Sequence, residues 1–187
     1  MQKEKLKNYL KKTTLGKRLK AGPLGRVRLR VRIINWFVHR VIYGEKIPFS
    51  YHFTSVITRH DKVIVGKNVE AYLGNVGGMY IQAINGVEIG DDTIIAPGVK
   101  IISANHDLEE FDKHVYAEPI RIGKKCWLGA NCVILPGVKL GDGVIVGAGA
   151  VVNRSFPDNS IIGGVPAKII KMRDAKSCIT SDNNTAK

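Results

Sequence analysis

From Val65 onward, apolar residues return at every sixth position along the chain. Counting in sixes gives Val65, Ala71, Gly77, Ala83, Ile89, Ile95 and Ile101. The early members are mostly small and the last three are aliphatic. The count resumes at Ile122 and runs through Leu128, Ile134, Leu140, Val146 and Val152, all aliphatic. Glycine follows four of these, at Gly123, Gly129, Gly141 and Gly147. The fifth position of each unit is small and apolar: Cys126, Cys132, Val138, Val144, Ala150. Neither the strand period of two nor the helix period of 3.6 fits this spacing. A period of six predicts a short strand and a tight turn per unit, with the aliphatic and small positions inward. One unit buries little by itself, so the units must stack to be stable. Ahead of them, Leu24, Val27, Val31, Ile34, Val38 and Val41 recur at spacings of three and four. That stripe predicts an amphipathic helix ending near Gly44.

The six-residue rhythm stops directly after His106, inside "IISANHDLEEFDKHVYAEPIRIG" (residues 101–123). An insertion that leaves a solenoid at one corner is usually a feature of its binding face. His106 is the last residue of its unit, with the insertion immediately behind it.

Composition narrows the reading. The chain has 187 residues, of which 44% are hydrophobic. It is long enough for one domain with a core and an appendage. No apolar run approaches the roughly 18–20 residues that span a bilayer. "MQKEKLKNYLKK" has no apolar stretch leading to a cleavage site, so no signal peptide is expected and the default location is cytoplasmic. Residues 1–50 hold 14 Lys and Arg against Glu4 and Glu45, while the remainder is nearly balanced. The formal charge of +13 therefore belongs almost wholly to the N-terminal segment. A basic appendage on a neutral body argues against a nucleic-acid binder.

"IGKKCWLGANCVILPGVKLGDGVIVGAGAVVN", followed by "IIGGVPAKIIK", resembles the hexapeptide-repeat acyltransferases, in particular the sugar O-acetyltransferases of the galactoside and maltose type and those of surface-polysaccharide synthesis. The resemblance covers about residues 47–172. It implies an all-β fold, a left-handed parallel β-helix with three units to a coil, assembled as a homotrimer with active sites between subunits. The expected division is a basic helical segment over residues 1–46, the β-helix over 47–172 with an insertion at about 107–119, and a polar tail over 173–187.

The resemblance also implies roles. His106 takes the place of the catalytic histidine. A sugar hydroxyl attacks a thioester slowly until a base removes its proton, and an imidazole suits that task at neutral pH. Acetyl-CoA is the implied donor, held by Ala130, Ala148, Asn153, Arg154, Lys168 and Lys171. The backbone N–H of Ala130 is the implied oxyanion donor. Asn85, Asp107 and Trp127 are the implied acceptor contacts. Asp107 or Glu88 is expected to orient the imidazole, Glu88 because it lies 18 residues earlier. Cys126 and Cys132 share an inward position and read as buried hydrophobes rather than nucleophiles or ligands.

No metal is expected. The zinc carbonic anhydrases of this architecture place two histidines five residues apart, whereas His106 and His114 are eight apart. Serine or amino-sugar N-acetyl transfer, and a non-catalytic scaffold, are the competing functions. For the helix, two roles stand open: capping the first coil, or meeting an anionic membrane through Arg26, Arg28, Arg30, Arg32 and Arg40.

Overall fold

The structure is a computed structural model that describes residues 27–44 and 48–174. Leu24 and Arg26 of the helical stripe, Cys178 and most of the polar tail lie outside the described residues.

Among the described residues, fourteen short strands wind into a triangular prism. Face A holds β1 (Val56–Thr58), β3 (Tyr80–Gln82), β6 (Lys100–Ile102), β9 (Val133–Ile134) and β12 (Val151–Val152). Face B holds β2 (Val63–Val65), β4 (Val87–Ile89), β7 (Ile120–Ile122) and β10 (Lys139–Leu140). Face C holds β5 (Ile94–Ile95), β8 (Trp127–Leu128), β11 (Ile145–Val146), β13 (Ser160–Gly163) and β14 (Lys168–Met172). All neighbours are parallel except β14, which turns back antiparallel on β13. The chain thus visits the faces in the order A, B, C and climbs one layer per circuit.

Register accounts for the core. Ile57, Ile81, Ile101, Ile134 and Val152 stack as one column behind face A, each almost fully buried. Ile95, Leu128, Val146 and Ile162 form a second column behind face C. Burying each such side chain is worth about 1.5–3 kcal/mol, so the prism is held by stacking across layers.

At the corner between faces B and C, Gly66, Gly90, Gly123 and Gly141 also form a column. A Cβ added at Gly123 would sit 2.5 Å from the Gly141 carbonyl oxygen, closer than any real side chain tolerates. The layers can approach there only because no side chain is present.

The early repeat departs from strict counting. Ile81, not Ala83, is the register partner of Ile101. Two additional residues at the corner before β4 make that layer 20 residues long, since Tyr80 pairs with Lys100. The layer below it is 24 residues long, since Val63 pairs with Val87. The surplus is absorbed by a helix, α2 (Glu70–Asn75), which contains Ala71 and stands where the third strand of the first layer would be. Small residues at Ala71 and Gly77 do not support strands, which is why the pattern was weak there.

The basic segment forms α1 (Leu29–Phe37), continued by a wider π-helical turn (Val38–Ile42) and ended at Gly44 with φ +68°. Its contact face takes only part of the apolar stripe: Val27, Val31 and Val38 are half-buried there, with Val27 against Gly74. Asn35 and His39 are the buried residues of this segment. The Asn35 side chain donates to Gly74 O at 3.1 Å and accepts from the Phe53 N–H at 3.0 Å, pinning α1 across the C-terminal end of α2. Ile34 and Val41, expected inward, are exposed. The two hydrogen bonds to Asn35 set the rotation of the helix, and the stripe yields to them.

Candidate active site

Between β6 and β7 the chain leaves the prism and returns. The excursion is a small antiparallel hairpin. The Val115 N–H donates to Asn105 O at 2.9 Å and the Asp107 N–H to Lys113 O at 3.0 Å, with His106 facing His114 across the pair. Its tip is closed by the Asp107 carboxylate, which accepts the N–H groups of Glu109 at 2.8 Å and Glu110 at 3.1 Å. Those bonds hold the Asp107 carboxyl below the usual carboxylate range. Asp107 is thus a turn-forming residue, with Oδ1 held by two backbone N–H groups of the tip.

The imidazole is oriented by the backbone. His106 Nδ1 is hydrogen-bonded to the Phe111 carbonyl oxygen. A carbonyl only accepts, so the ring proton sits on Nδ1 and Nε2 carries the free lone pair. The His114 ring lies alongside, 4.5 Å between centroids and tilted 38°. Glu88 does not lie beneath His106. The two additional residues of its layer shift the register, and Glu88 pairs across face B with Arg121 in a 3.2 Å ion pair.

Asn85 anchors the hairpin to the prism. Its Nδ2 donates to Ser103 O at 2.9 Å and to Val115 O at 3.1 Å, and its own N–H donates to Ser103 Oγ. Both amide hydrogens are thereby committed, and the side-chain oxygen is the group left to meet a ligand.

The remaining candidates divide between two corners. Asn153 and Arg154 follow β12 at the corner between faces A and B, the same corner as His106. Arg154 lies over the Phe156 ring at 5.3 Å. Ala130 and Ala148 occupy successive layers at the corner between faces C and A, where the Gly149 N–H donates to Ala130 O. Neither Ala130 nor Ala148 spends its own N–H on a backbone partner among the described residues. Trp127 is half exposed on face C, in register with Ile94 and Ile145. Lys168 and Lys171 lie on β14, exposed throughout, beyond the last layer of that face. A single chain therefore does not bring His106 to Ala130. One face of the prism separates them, roughly 15 Å at about 3.3 Å per extended residue.

The cysteines have no part in this surface. Cys126 and Cys132 are buried, and burial pushes their thiols up to about 11 and about 12. Among the described residues, no three His, Cys, Asp or Glu side chains converge as a metal set.

Two features of the site carried no sequence signal. The Phe111 carbonyl is a backbone group, and nothing in the residue type marks it. His114 was visible as a loop histidine, but its pairing depends on a hairpin that the interrupted rhythm does not specify.

Comparison with known proteins bears on this geometry. A family model described as bacterial transferase hexapeptide (six repeats) matches residues 119–154. The chain is 38% identical over 141 residues to an Escherichia coli K12 protein named "Putative lipopolysaccharide biosynthesis O-acetyl transferase WbbJ", covering 67% of this chain and 71% of that one. It is 40% identical over 88 residues to the galactoside O-acetyltransferase of the same organism, covering 46% of this chain and 43% of that one. Among solved structures, a galactoside acetyltransferase in complex with coenzyme A superimposes with a TM-score of 0.55 at 30% identity, over 63% of this chain and 58% of that one.

Proposed function

We propose that this chain, which belongs to the hexapeptide-repeat acyltransferases and shares their left-handed parallel β-helix, moves an acetyl group from acetyl-CoA to a hydroxyl of a sugar or surface-polysaccharide precursor. The observation that carries the reading is the imidazole of His106. It stands at a corner of the prism with Nδ1–H tied to the Phe111 carbonyl, which leaves Nε2 as the base.

The chemistry follows from that tautomer. The acceptor hydroxyl oxygen attacks the thioester carbonyl carbon while Nε2 takes the hydroxyl proton. The tetrahedral oxyanion is met by the Ala130 N–H, a preorganised donor. Collapse breaks the carbon–sulfur bond, and the departing thiolate takes the proton back from the imidazolium. The products are the acetyl ester and coenzyme A, and the imidazole is neutral again.

His106 and Ala130 stand at different corners, so the reading needs more than one copy. A homotrimer with His106 of one subunit facing the partner subunit's Ala130 satisfies it, and three is the number that the family resemblance implies. The pantetheine arm would then run along the groove between two prisms, past Ala148, with Asn153, Arg154, Lys168 and Lys171 available for amide and phosphate contacts. Trp127 and the Asn85 carbonyl oxygen would line the acceptor side. The name of the relative at 38% identity supports a lipopolysaccharide-type acceptor.

The test is acetyl-CoA consumption by purified protein with candidate glycan acceptors, followed by thiol release and by mass spectrometry of the acceptor. His106→Ala is expected to keep its fold and assembly while turnover falls at least ~100-fold. Near-normal turnover in that variant would remove His106 as the base. Absence of thiol release with every acceptor would favour the scaffold reading.

A further inference from the structure

Helix α1 turns an unusual surface outward. Leu29, Ile33 and Phe37 are spaced i, i+4, i+8 and form one ridge, exposed by 73%, 57% and 50%. The neighbouring ridge is Arg28, Arg32, Trp36 and Arg40. On the other flank stand Arg30, Ile34 and Val41. An apolar strip is thus bordered on both sides by guanidinium groups. Between Val27 and Gly44 the chain has no acidic residue. Beside the basic ridge, a cavity of about 590 Å³ lies between the helix and the first layer, with Arg32, Trp36, His39 and Arg40 on its helical wall and Glu70, which accepts the Ser50 N–H, on the other.

Such a ridge is not the outside of an ordinary surface helix, whose solvent face is polar. Something apolar belongs against it, and the charge decides what. A second copy of this helix would bring arginines against arginines. The chain's own residues 1–26 carry nine Lys and Arg against Glu4 alone, so they match it in sign rather than complement it. The partner that offers an apolar interior and an anionic rim together is a lipid bilayer carrying acidic headgroups. No helix among the described residues is long and apolar enough to cross a membrane, so the contact lies in the plane of the surface.

We propose that α1 is a membrane-docking helix. Leu29, Ile33 and Phe37 enter the acyl boundary, Trp36 sits at headgroup level, and Arg32 and Arg40 hold lipid phosphates at the mouth of the cavity. Asn35 and His39 fix the rotation of the helix on the protein, so the ridge is presented ready-made. The proposal is separate from the acyl-transfer reading, because lipid binding needs neither donor nor acceptor.

The experiment is co-sedimentation of the full chain with vesicles of phosphatidylcholine alone and of phosphatidylcholine mixed with phosphatidylglycerol, at low and high salt. Wild type is expected to bind the mixed vesicles at low salt and to weaken at high salt. The Arg32→Gln/Arg40→Gln double variant should partition about 30-fold less, at about fivefold per basic residue. Ile33→Ser/Phe37→Ser should lose binding by a similar factor even at low salt, with an unchanged circular-dichroism melt. In a Trp127→Phe background with α1 intact, brominated lipid should quench Trp36 fluorescence. No sedimentation at low salt, or unquenched Trp36, overturns the proposal. Ile33→Ser/Phe37→Ser chains that bind vesicles normally but lose their oligomeric state also overturn it, and assign the ridge to a second copy.

Discussion

At the scale of single residues, environment separates groups that could react from groups that cannot. Raised to about 11 and about 12, the Cys126 and Cys132 thiols are almost wholly protonated at neutral pH. At pH 8 a thiol of pKa 11 is thiolate about one part in a thousand. In a Cys178→Ser background, iodoacetamide at pH 8 should therefore label neither cysteine in the native protein and both in urea. Stoichiometric labelling of the native protein would contradict the inward placement. Asp107 shows the opposite sign. Its carboxyl is depressed by the Glu109 and Glu110 N–H groups, so the turn it stabilises holds above the ordinary carboxylate range. That stability is lost only as pH falls through the lowered folded-state value. Mild acidification therefore leaves the turn in place. Asp107→Asn keeps the Oδ1 acceptor and should leave the acid limb of the kcat/KM profile unmoved. A displaced limb would mean that the carboxylate acts on His106 directly. The position of His106 was legible because a strict rhythm broke behind it. Its orienting partner was not, because a backbone carbonyl has no letter in the sequence.

At the scale of elements, the later units were readable and the earlier ones were not, for one reason. Aliphatic residues from Ile122 to Val152 each fill one strand of the core, so counting in sixes gives the register directly. Ala71 and Gly77 are too small to hold a strand, so the first layer could lengthen and take in α2. The two additional residues before β4 then carried Glu88 away from His106. The apolar spacing of α1 was sufficient to foresee a helix but not its rotation, which the polar Asn35 sets. Asn85 clips the hairpin behind His106 to the prism, binding the coil at Ser103 and the hairpin at Val115. Each bond contributes about 0.5–1.5 kcal/mol. Asn85→Ala should leave the global melting temperature nearly unchanged while chymotrypsin nicks the hairpin near Leu108 and Phe111 several-fold faster than in wild type. Equal nicking rates would show that the hairpin is held by its own hydrogen bonds.

At the scale of the whole molecule, the site is distributed between corners that one chain keeps apart. Light scattering should give about three times the 20.6 kDa chain mass, without added metal. A stable monomer with full activity would refute the shared site.

The antiparallel return of β14 has a consequence for length. A ladder of parallel layers has no internal reason to stop, because the top of each layer is a template for the next, as in a fibril. Here β14 reverses direction on β13, and the Ala167 N–H donates to Val151 O over the last strand of face A. At the other end, α2 stands in for a strand and α1 lies across it. Both terminal layers thus present shapes that a further layer cannot copy. The number of layers is set by these two closures rather than by the repeat itself. A chain cut after Gly163 would keep the repeat and lose the stop at that end alone, so such molecules would pair through their open ends and, with α2 and α1 still closing the other, grow no further.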